Sequence, residues 1–296
     1  MSNKEFETLE TNNEIKNMSI EDKRQEFLLN YKKDQKIQLI VSVVFVVLIL
    51  AGLFLILNYP SYLIFTFLGI LICFVGLSSY SKTCSKKKET NIKGFVESYR
   101  EYERSKVYDD RFNAISNESY KEVAKEEIID LNLFPSTQVI ESNNYINARY
   151  LSKEFKSYSL AVYKDKVNLA FIGKYYAVRL EKEVEGRTII NLGSNHLEIN
   201  IDGLNQYELG FNVYSSLGED EINTLIDEEI KQIINSFVFD ENTLNVCLLI
   251  ENNYLKAFVN YPNKFVDVPV ENTVDENVLN VTKGNLNRIL EIYNNI

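Results

Sequence analysis

The sequence predicts an α+β protein: an N-terminal transmembrane helical hairpin followed by a cytosolic domain with a mostly antiparallel sheet and packed helices. Three observations indicate this class. Two apolar runs occupy residues 37–80. Segments in which apolar and polar residues alternate follow later in the chain, as in half-buried strands. Between them lie apolar stripes at helical spacing, which begin at capping sequences.

The first apolar run, Ile37–Leu57, has 21 residues, of which one is Gln and one is Ser. About 20 apolar residues are needed to cross a hydrocarbon core of roughly 30 Å. The second run extends from Tyr62 to about Tyr80. Pro60 separates the runs, since it has no N–H and disfavours helix at the preceding residue. We therefore expect two membrane-spanning helices joined at Asn58–Ser61, rather than two buried helices of a soluble protein.

Lysines flank this hairpin on both sides, whereas the turn carries none. By the positive-inside rule, both flanks lie in the cytoplasm. We thus predict a two-pass protein of the cell membrane, with both termini cytoplasmic and the lipid bilayer as a partner. The flanking basic residues are Lys32, Lys33, Lys36, Lys82, Lys86, Lys87 and Lys88.

The chain is expected to have four parts. They are a cytosolic N-terminal tail and helix (residues 1–35), the two-helix transmembrane hairpin (36–80), a charged stalk helix (81–107) and the cytosolic α+β domain (108–296). In the stalk, Phe95, Tyr99 and Tyr102 recur at helical spacing, which predicts a packing face.

Helices in the domain are expected where an apolar stripe follows a capping box. The predicted helices are Ser119–Asn132, Glu219–Phe237 with a cap at Ser216, and a last helix that opens at Thr273. Within Glu219–Phe237 the isoleucines share one face, so the charged residues between them should face water.

Strands are expected where apolar and polar residues alternate. The predicted strands lie in Val167–Leu180, His196–Gly203, Leu209–Val213, Leu244–Ile250 and Tyr254–Val259. The pairs Asn143-Asn144 and Asn252-Asn253 can each turn a hairpin. Alternation also predicts a sheet with one face in water, which is typical of antiparallel pairing.

Charge is distributed unevenly along the chain. Residues 201–296 contain 16 acidic and 5 basic residues. We predict no nucleic-acid partner, because phosphate contacts need Lys and Arg. An acidic surface instead suits a cationic protein partner. The candidate interaction surface comprises Asp220, Asp227 and Glu228 of the helix Glu219–Phe237.

The sequence contains no phosphate-binding loop, dinucleotide-binding, zinc-protease, EF-hand or nucleophile-elbow motif. Its one histidine, His196, is expected in a surface loop at a strand start. The three cysteines form no C-x-x-C pair, which disfavours a zinc site. The consecutive residues Asp227–Glu229 do not converge on one point of a helix. The sequence therefore predicts no catalytic, cofactor-binding or metal-binding residue.

Four segments carry a family resemblance: Phe171–Tyr176, Glu185–Thr188, Tyr207–Ser215 and Ile289–Tyr293. With the order of parts, they resemble a bacterial family of two-pass membrane proteins that is classed as a domain of unknown function and often encoded near LemA-type genes. The resemblance implies a membrane hairpin, a stalk and a β-rich domain, and it implies no catalytic residues. The segment before Phe171 is shorter here than in that family.

Three functions remain open from the sequence. The leading one is a membrane-anchored cytosolic interaction or scaffold module. The alternatives are a membrane-tethered ligand-sensing domain and an unrecognised enzyme. An exposed shallow patch would favour the interaction module. A closed apolar pocket would favour the sensor, and buried titratable groups in one cleft would favour the enzyme.

Overall fold

The computed structural model describes residues 19–59, 61, 63–118, 125–137, 139–165, 167–193, 197–261 and 273–296. The chain divides into two compact units. The first comprises Met1–Tyr99 and Val270–Val274, and the second comprises Arg100–Pro269 and Asp275–Ile296.

The described part of the first unit consists mainly of two long helices. Helix α1 covers Ile20–Asn58. Helix α2 covers Leu63–Val107, of which Arg100–Val107 belongs to the second unit. Ser19 caps α1, because its hydroxyl accepts the N–H of Asp22 at 3.1 Å. Helix α1 joins the predicted N-terminal helix to the first predicted membrane span. Helix α2 joins the second predicted span to the predicted stalk helix.

Both helices contain a stretch that is long and apolar enough to cross a membrane, by length and composition. Only 6% of that stretch in α1 and 0% in α2 is buried. The side chains of Leu57 and Phe65 are 80% and 77% exposed. A core helix of a soluble protein would bury such a surface. The helices approach closely at Gly52, where an added Cβ would lie 2.8 Å from Cγ1 of Ile70.

The second unit is built on one sheet. Its strands are β1 (Phe112–Glu118), β2 (Val139–Tyr150), β3 (Lys153–Tyr163), β4 (Leu169–Arg179), β5 (Thr188–Gly193), β6 (Asn205–Glu208), β7 (Asn212–Ser215), β8 (Asn245–Glu251) and β9 (Tyr254–Asn260). They form a nine-stranded sheet in the order β1-β2-β3-β4-β9-β8-β5-β7-β6. Every neighbouring pair is antiparallel, which confirms the predicted fold class.

Helices and connecting segments cover both faces of this sheet. The helices are α3 (Lys125–Ile129), α4 (Glu219–Leu225), α5 (Glu228–Asn235) and α6 (Glu276–Asn295). Successive residues of a strand point to opposite faces. In β4, Tyr176 therefore packs in the core cluster that contains α4, α5 and α6, while Tyr175 packs in the cluster that contains α3. The expectation of a sheet with one wet face is wrong for the central strands.

The predicted helix Glu219–Phe237 is two helices, α4 and α5. Asp227 breaks it, because its carboxylate accepts the N–H groups of Glu229 and Ile230 and caps α5. The predicted cap at Ser216 is also wrong, since its hydroxyl accepts the N–H of Arg187. The isoleucine stripe is nevertheless buried as predicted, at Ile222, Ile226, Ile230 and Ile234.

The last helix, α6, begins two residues later than the capping box at Thr273 predicts. Asp275 is its N-cap and accepts the N–H of Asn277 at 2.9 Å. The predicted apolar face is buried, as Leu286, Ile289 and Leu290 show.

The predicted helix Ser119–Asn132 is described only from residue 125, so its capping sequence lies outside the described residues. The helix α3 ends at Ile129, earlier than predicted, and the chain turns at Asn132, which has a φ of 45°.

The two Asn-Asn pairs behave differently. Asn252-Asn253 turns the hairpin between β8 and β9 with φ angles of 50° and 60°, as predicted. Asn143-Asn144 instead lies inside β2, where the register shifts between Asn143 and Ile146. The chain reverses later, at Leu151-Ser152. Asparagine tolerates a positive φ, which occurs both in hairpin turns and in β-bulges. An Asn-Asn pair alone therefore does not distinguish a turn from a bulge.

Two predicted strands are also wrong. Residues 197–203 form no strand, because the side chain of Asn200 accepts the N–H of Asp202 and turns the chain. The predicted strand Leu209–Val213 instead contains the turn between β6 and β7, where Gly210 has a φ of +85°. Alternating residue types alone do not distinguish a strand from an extended or turning segment.

The end of α2 supplies a charge to the second unit, because Glu103 lies 2.7 Å from Nζ of Lys174 in β4. A soluble fragment that begins at Glu97 should therefore be about 3–5 kcal/mol more stable than one that begins at Val107, which leaves Lys174 buried without its partner. Urea unfolding of both fragments measures the difference. As a control, Lys174→Met should restore part of the stability of the shorter fragment only. Equal stability of the two unmodified fragments would contradict this role of Glu103.

Candidate functional site

The predicted interaction residues are all exposed, on α4 and at the start of α5. Asp220 lies in the first turn of α4, and Asp227 and Glu228 begin α5. Two of them also have local partners. Asp227 is the N-cap of α5, and Glu228 lies 2.7 Å from Nζ of Lys231. We call these three residues the acidic surface.

A groove lies at the other end of α5. Its volume is about 690 Å³, and its walls come from β5, from the β6–β7 hairpin and from the end of α5. Three phenylalanines, Phe211, Phe237 and Phe239, contribute its apolar surface. The rings of Phe237 and Phe239 stack at 6.4 Å. We call this the phenylalanine groove.

The acidic surface and the phenylalanine groove share helix α5. Asp227 caps its first turn, while Ile234 and Asn235 of its last turn line the groove. The two ends are about 12 Å apart at 1.5 Å per residue. Glu208, on the edge strand β6, adds a carboxylate to the groove wall. Sequence reasoning missed the groove, because Phe211 and Phe239 lie outside the apolar stripe that ends at Phe237. Gly210 was the signal of the turn that brings Phe211 to the groove.

The strongest charge interactions are inside the second unit. The carboxylate of Glu103 lies 2.8 Å from Nη1 of Arg100 and 2.7 Å from Nζ of Lys174. The side chain of Asn144 donates to the same carboxylate at 3.1 Å. All three charged side chains are at most 7% exposed. We call Arg100, Glu103, Lys174 and Asn144 the ion cluster.

The protonation of Glu103 follows from this geometry. Burial alone would raise the pKa of its carboxyl, but the positive charges of Lys174 and Arg100 outweigh burial and lower that pKa to about 2. The group is therefore ionised at neutral pH. The charged side chains of the ion cluster are at most 7% exposed, so solvent and ligands have little access to them.

The bulge in β2 positions one member of the ion cluster. It gives Asn144 a φ of 55°, and the side chain of Asn144 donates to Glu103. Gly173, beside Lys174, instead allows β4 to pair closely with β9, because an added Cβ would overlap the carbonyl oxygen of Val259. Sequence reasoning missed the ion cluster, since Glu103 and Lys174 are 71 residues apart and each resembles an ordinary surface charge.

A second carboxylate is held in the same way. Glu251 of β8 lies 2.8 Å from Nη1 of Arg187 and 3.0 Å from Nζ of Lys256. Its side chain is 10% exposed. In both arrangements one carboxylate lies between two cations, and the attraction between the charges offsets the cost of removing them from water.

The lysines that flank the apolar runs are exposed at Lys32, Lys33, Lys36, Lys82, Lys86, Lys87 and Lys88. Lys87 of α2 lies 2.9 Å from the carboxylate of Asp34 in α1. The ammonium of Lys88 lies 5.1 Å from the ring centre of Tyr31. The predicted packing face of the stalk is confirmed at Phe95, which is buried and stacks on Phe27 at 5.5 Å.

His196, the one histidine, lies outside the described residues. Within the described ranges, no group of three or more His, Cys, Asp or Glu side chains is placed to hold a metal ion. Cys247 is fully buried in β8, and burial raises the pKa of its thiol to about 12. That thiol is therefore protonated at neutral pH.

Because the pKa of Glu103 is lowered, the stability that it contributes is present above pH 4.5 and is lost as the pH falls towards about 2. Glu103→Gln should cost about 3–5 kcal/mol at pH 7, since Lys174 and Arg100 keep their charges without the carboxylate. The variant should also lose less stability than wild type between pH 4.5 and 2. Denaturant unfolding of the full chain in detergent across this range measures both effects.

The matched control is Glu101→Gln, two residues earlier on α2, where the side chain is 76% exposed. It should change the free energy of unfolding by less than about 0.5 kcal/mol and leave its pH dependence as in wild type. If Glu103→Gln behaved like this control, the ion cluster would not stabilise the fold.

No protein-family model matches the chain, and no curated protein matches it. Among solved structures, the chain is similar to the crystal structure of the mycobacterial trehalose monomycolate transport factor A, TtfA. The TM-score is 0.40 at 10% sequence identity, and the match covers 66% of this chain and 93% of that chain. A likeness at this level carries no functional argument.

Proposed function

We propose that the protein is a membrane-anchored interaction module that binds a basic protein segment at the acidic surface and the phenylalanine groove. One observation carries this proposal: helix α5 presents exposed carboxylates at its first turn and borders an open apolar groove at its last. A partner with basic and apolar side chains about 12 Å apart would complement both ends.

The size of the groove supports this reading. Ligand sites in proteins are commonly about 300–1,000 Å³ and combine apolar walls with a few polar groups. The phenylalanine groove has about 690 Å³, and Asn212 and Glu208 provide polar groups beside its rings. It is open to solvent along the sheet edge, unlike the closed pocket expected of a ligand sensor. We therefore place a side chain of a protein partner in it.

The ion cluster favours an interaction module over an enzyme. A catalytic acid or base must reach a substrate. The side chains of Glu103 and Lys174 are 7% and 3% exposed, so a substrate has little access to them. The charges of Lys174 and Arg100 lower the pKa of Glu103, and burial lowers the pKa of Lys174, so packing and charge pairing explain both shifts and we assign both residues a structural role.

Membrane anchoring is the other half of the proposal. The apolar stretches of α1 and α2 are almost entirely uncovered, and lysines precede the first stretch and follow the second. We infer that the hairpin spans the cell membrane and that both termini are cytoplasmic. A tether of this kind raises the local concentration of the interaction surface near other membrane proteins.

The family resemblance belongs to the same proposal. The matching segments occupy β4, the approach to β5, the β6–β7 hairpin and the last turns of α6. The hairpin segment, Tyr207–Ser215, includes part of the phenylalanine groove. We infer that this chain shares the two-pass architecture of that bacterial family, and that the groove is the feature to compare among its members.

Topology can be tested by labelling single cysteines with an impermeant maleimide on intact cells. In a chain without Cys73, Cys84 and Cys247, Ser61→Cys should react from outside, whereas Asn91→Cys should react only after the cells are opened. The lysines on both flanks and their absence from the turn give this expectation. Labelling of Asn91→Cys on intact cells would reverse the proposed orientation.

The interaction surface can be tested by affinity capture of the tagged full chain from detergent-solubilised cells. The variant is Asp220→Lys/Asp227→Asn/Glu228→Lys, in which Asn keeps the cap of α5. Capture of basic proteins should fall by about tenfold, because exposed charge pairs contribute about 0.2–1 kcal/mol each. The loss should be smaller at high salt, since salt screens exposed charges.

The matched control is Glu181→Lys/Glu183→Gln/Glu185→Lys, which changes the net charge equally at exposed positions outside α4 and α5. It should retain the captured proteins. A second variant, Asn235→Trp, obstructs the groove without a change of charge and should reduce capture as well. If the control and the acidic-surface variant lost the same proteins, general charge rather than this surface would govern binding.

A further inference from the structure

A second groove lies within the first unit, between α1 and α2. Its volume is about 760 Å³, and it extends from Lys23 to Ile37 on α1 and from Lys87 to Ser98 on α2. We call it the hairpin groove. Ile37 is also the first residue of the apolar run of α1. Lys87 follows Tyr80, the end of the second run, by about 10 Å along α2. One end of the groove therefore lies at the depth of lipid headgroups when the hairpin spans a bilayer.

The lining of the hairpin groove combines an apolar floor with polar walls. Phe27 and Phe95 are buried and stack face to face at its floor. Thr90 and Asn91 of α2 and Asn30 of α1 add hydrogen-bonding groups to the walls. Such a lining accepts a ligand with an apolar part and several hydrogen-bonding oxygens.

The charge around the groove is strongly positive. Residues 23–37 and 82–98 contain ten Lys or Arg and four Asp or Glu, although the whole chain has a net charge of −10. Lys33 and Lys87 lie on facing helices at the membrane end. Among the described residues, Lys33 has no carboxylate at salt-bridge distance, so its ammonium is available to an anion.

The groove also contains two carboxylates, Asp34 and Glu26. Asp34 is paired with Lys87 at 2.9 Å. A carboxylate would repel a bare phosphate but accepts hydrogen bonds from hydroxyl groups. Lysines beside a carboxylate therefore fit a phosphodiester that carries a polyol, with the phosphate at Lys33 and Lys87 and the hydroxyls at Asp34.

We propose that the hairpin groove binds one anionic phospholipid whose headgroup is a glycerol-type polyol, such as phosphatidylglycerol. The inference rests on the membrane anchoring in the proposed function. The phosphodiester binds Lys33 and Lys87, and the glycerol hydroxyls donate to Asp34. The acyl chains leave the groove past Ile37 and lie along the uncovered apolar surface of α1.

The test is native mass spectrometry of the full chain in a neutral detergent, titrated with dioctanoyl phosphatidylglycerol or dioctanoyl phosphatidylcholine. Wild type should retain one phosphatidylglycerol per chain and prefer it over phosphatidylcholine by about tenfold. Lys33→Gln/Lys87→Gln should weaken phosphatidylglycerol binding by about tenfold or more, because each lysine near an anionic lipid contributes roughly fivefold.

The matched control is Lys32→Gln/Lys86→Gln, which removes the same charge from neighbouring positions that do not line the groove. It should weaken binding by less than about threefold. Gly94→Leu supplies an uncharged test. A Cβ at Gly94 meets nothing within 4 Å, so the side chain fits without a clash and fills the groove. This variant should lose lipid binding while its unfolding temperature stays level or rises, since glycine weakens a helix.

Three results would overturn the proposal. Equal losses in the two lysine pairs would mean that lipid attraction is diffuse and that no site exists. Wild-type binding by Gly94→Leu would exclude the groove as the site. Displacement of the lipid by glycerol 1-phosphate at an equal concentration would identify a soluble phosphate ester as the ligand. Retention of the chain in membranes after an alkaline carbonate wash reports anchoring separately, so failure of the lipid site and failure of anchoring are distinguishable.

Discussion

The second unit depends on a single carboxylate. Glu103 balances Arg100 and Lys174 in the interior, and their mutual attraction offsets the large cost of removing charges from water only at the observed distances of 2.7 and 2.8 Å. The bulge of β2 serves this arrangement, because Asn144 at the bulge donates to the same carboxylate. The last turns of α2 are consequently part of the sheet domain rather than a connection to it.

Charge is thus divided between two tasks in this domain. The two buried carboxylates, Glu103 of α2 and Glu251 of β8, are each held between two cations. Carboxylates on α4 and α5 are exposed and have at most local roles. The surface charges can therefore recognise a partner without a cost to the core, and the core charges fix the packing without a role in recognition.

The sequence predicted best what short-range chemistry decides. The two long apolar helices follow from composition alone, and the β8–β9 turn follows from two asparagines. The buried faces of α4, α5 and α6 follow from isoleucine and leucine spacing. The break at Asp227 was not predictable from periodicity, because a stripe continues across it while the carboxylate caps a new helix. Burial of Glu103 depends on Lys174, 71 residues away, and no local pattern reports that distance.

The edge strand β6 limits how copies of this domain can pair with one another. Strand β6 is the outermost strand on its side, has only four residues and ends at the exposed Glu208. An open strand edge is a template for pairing with another chain, and such pairing seeds fibrous self-association. A four-residue edge that carries a negative charge offers little backbone to pair and repels its own copies. The short strand and its charge therefore disfavour self-association at that edge.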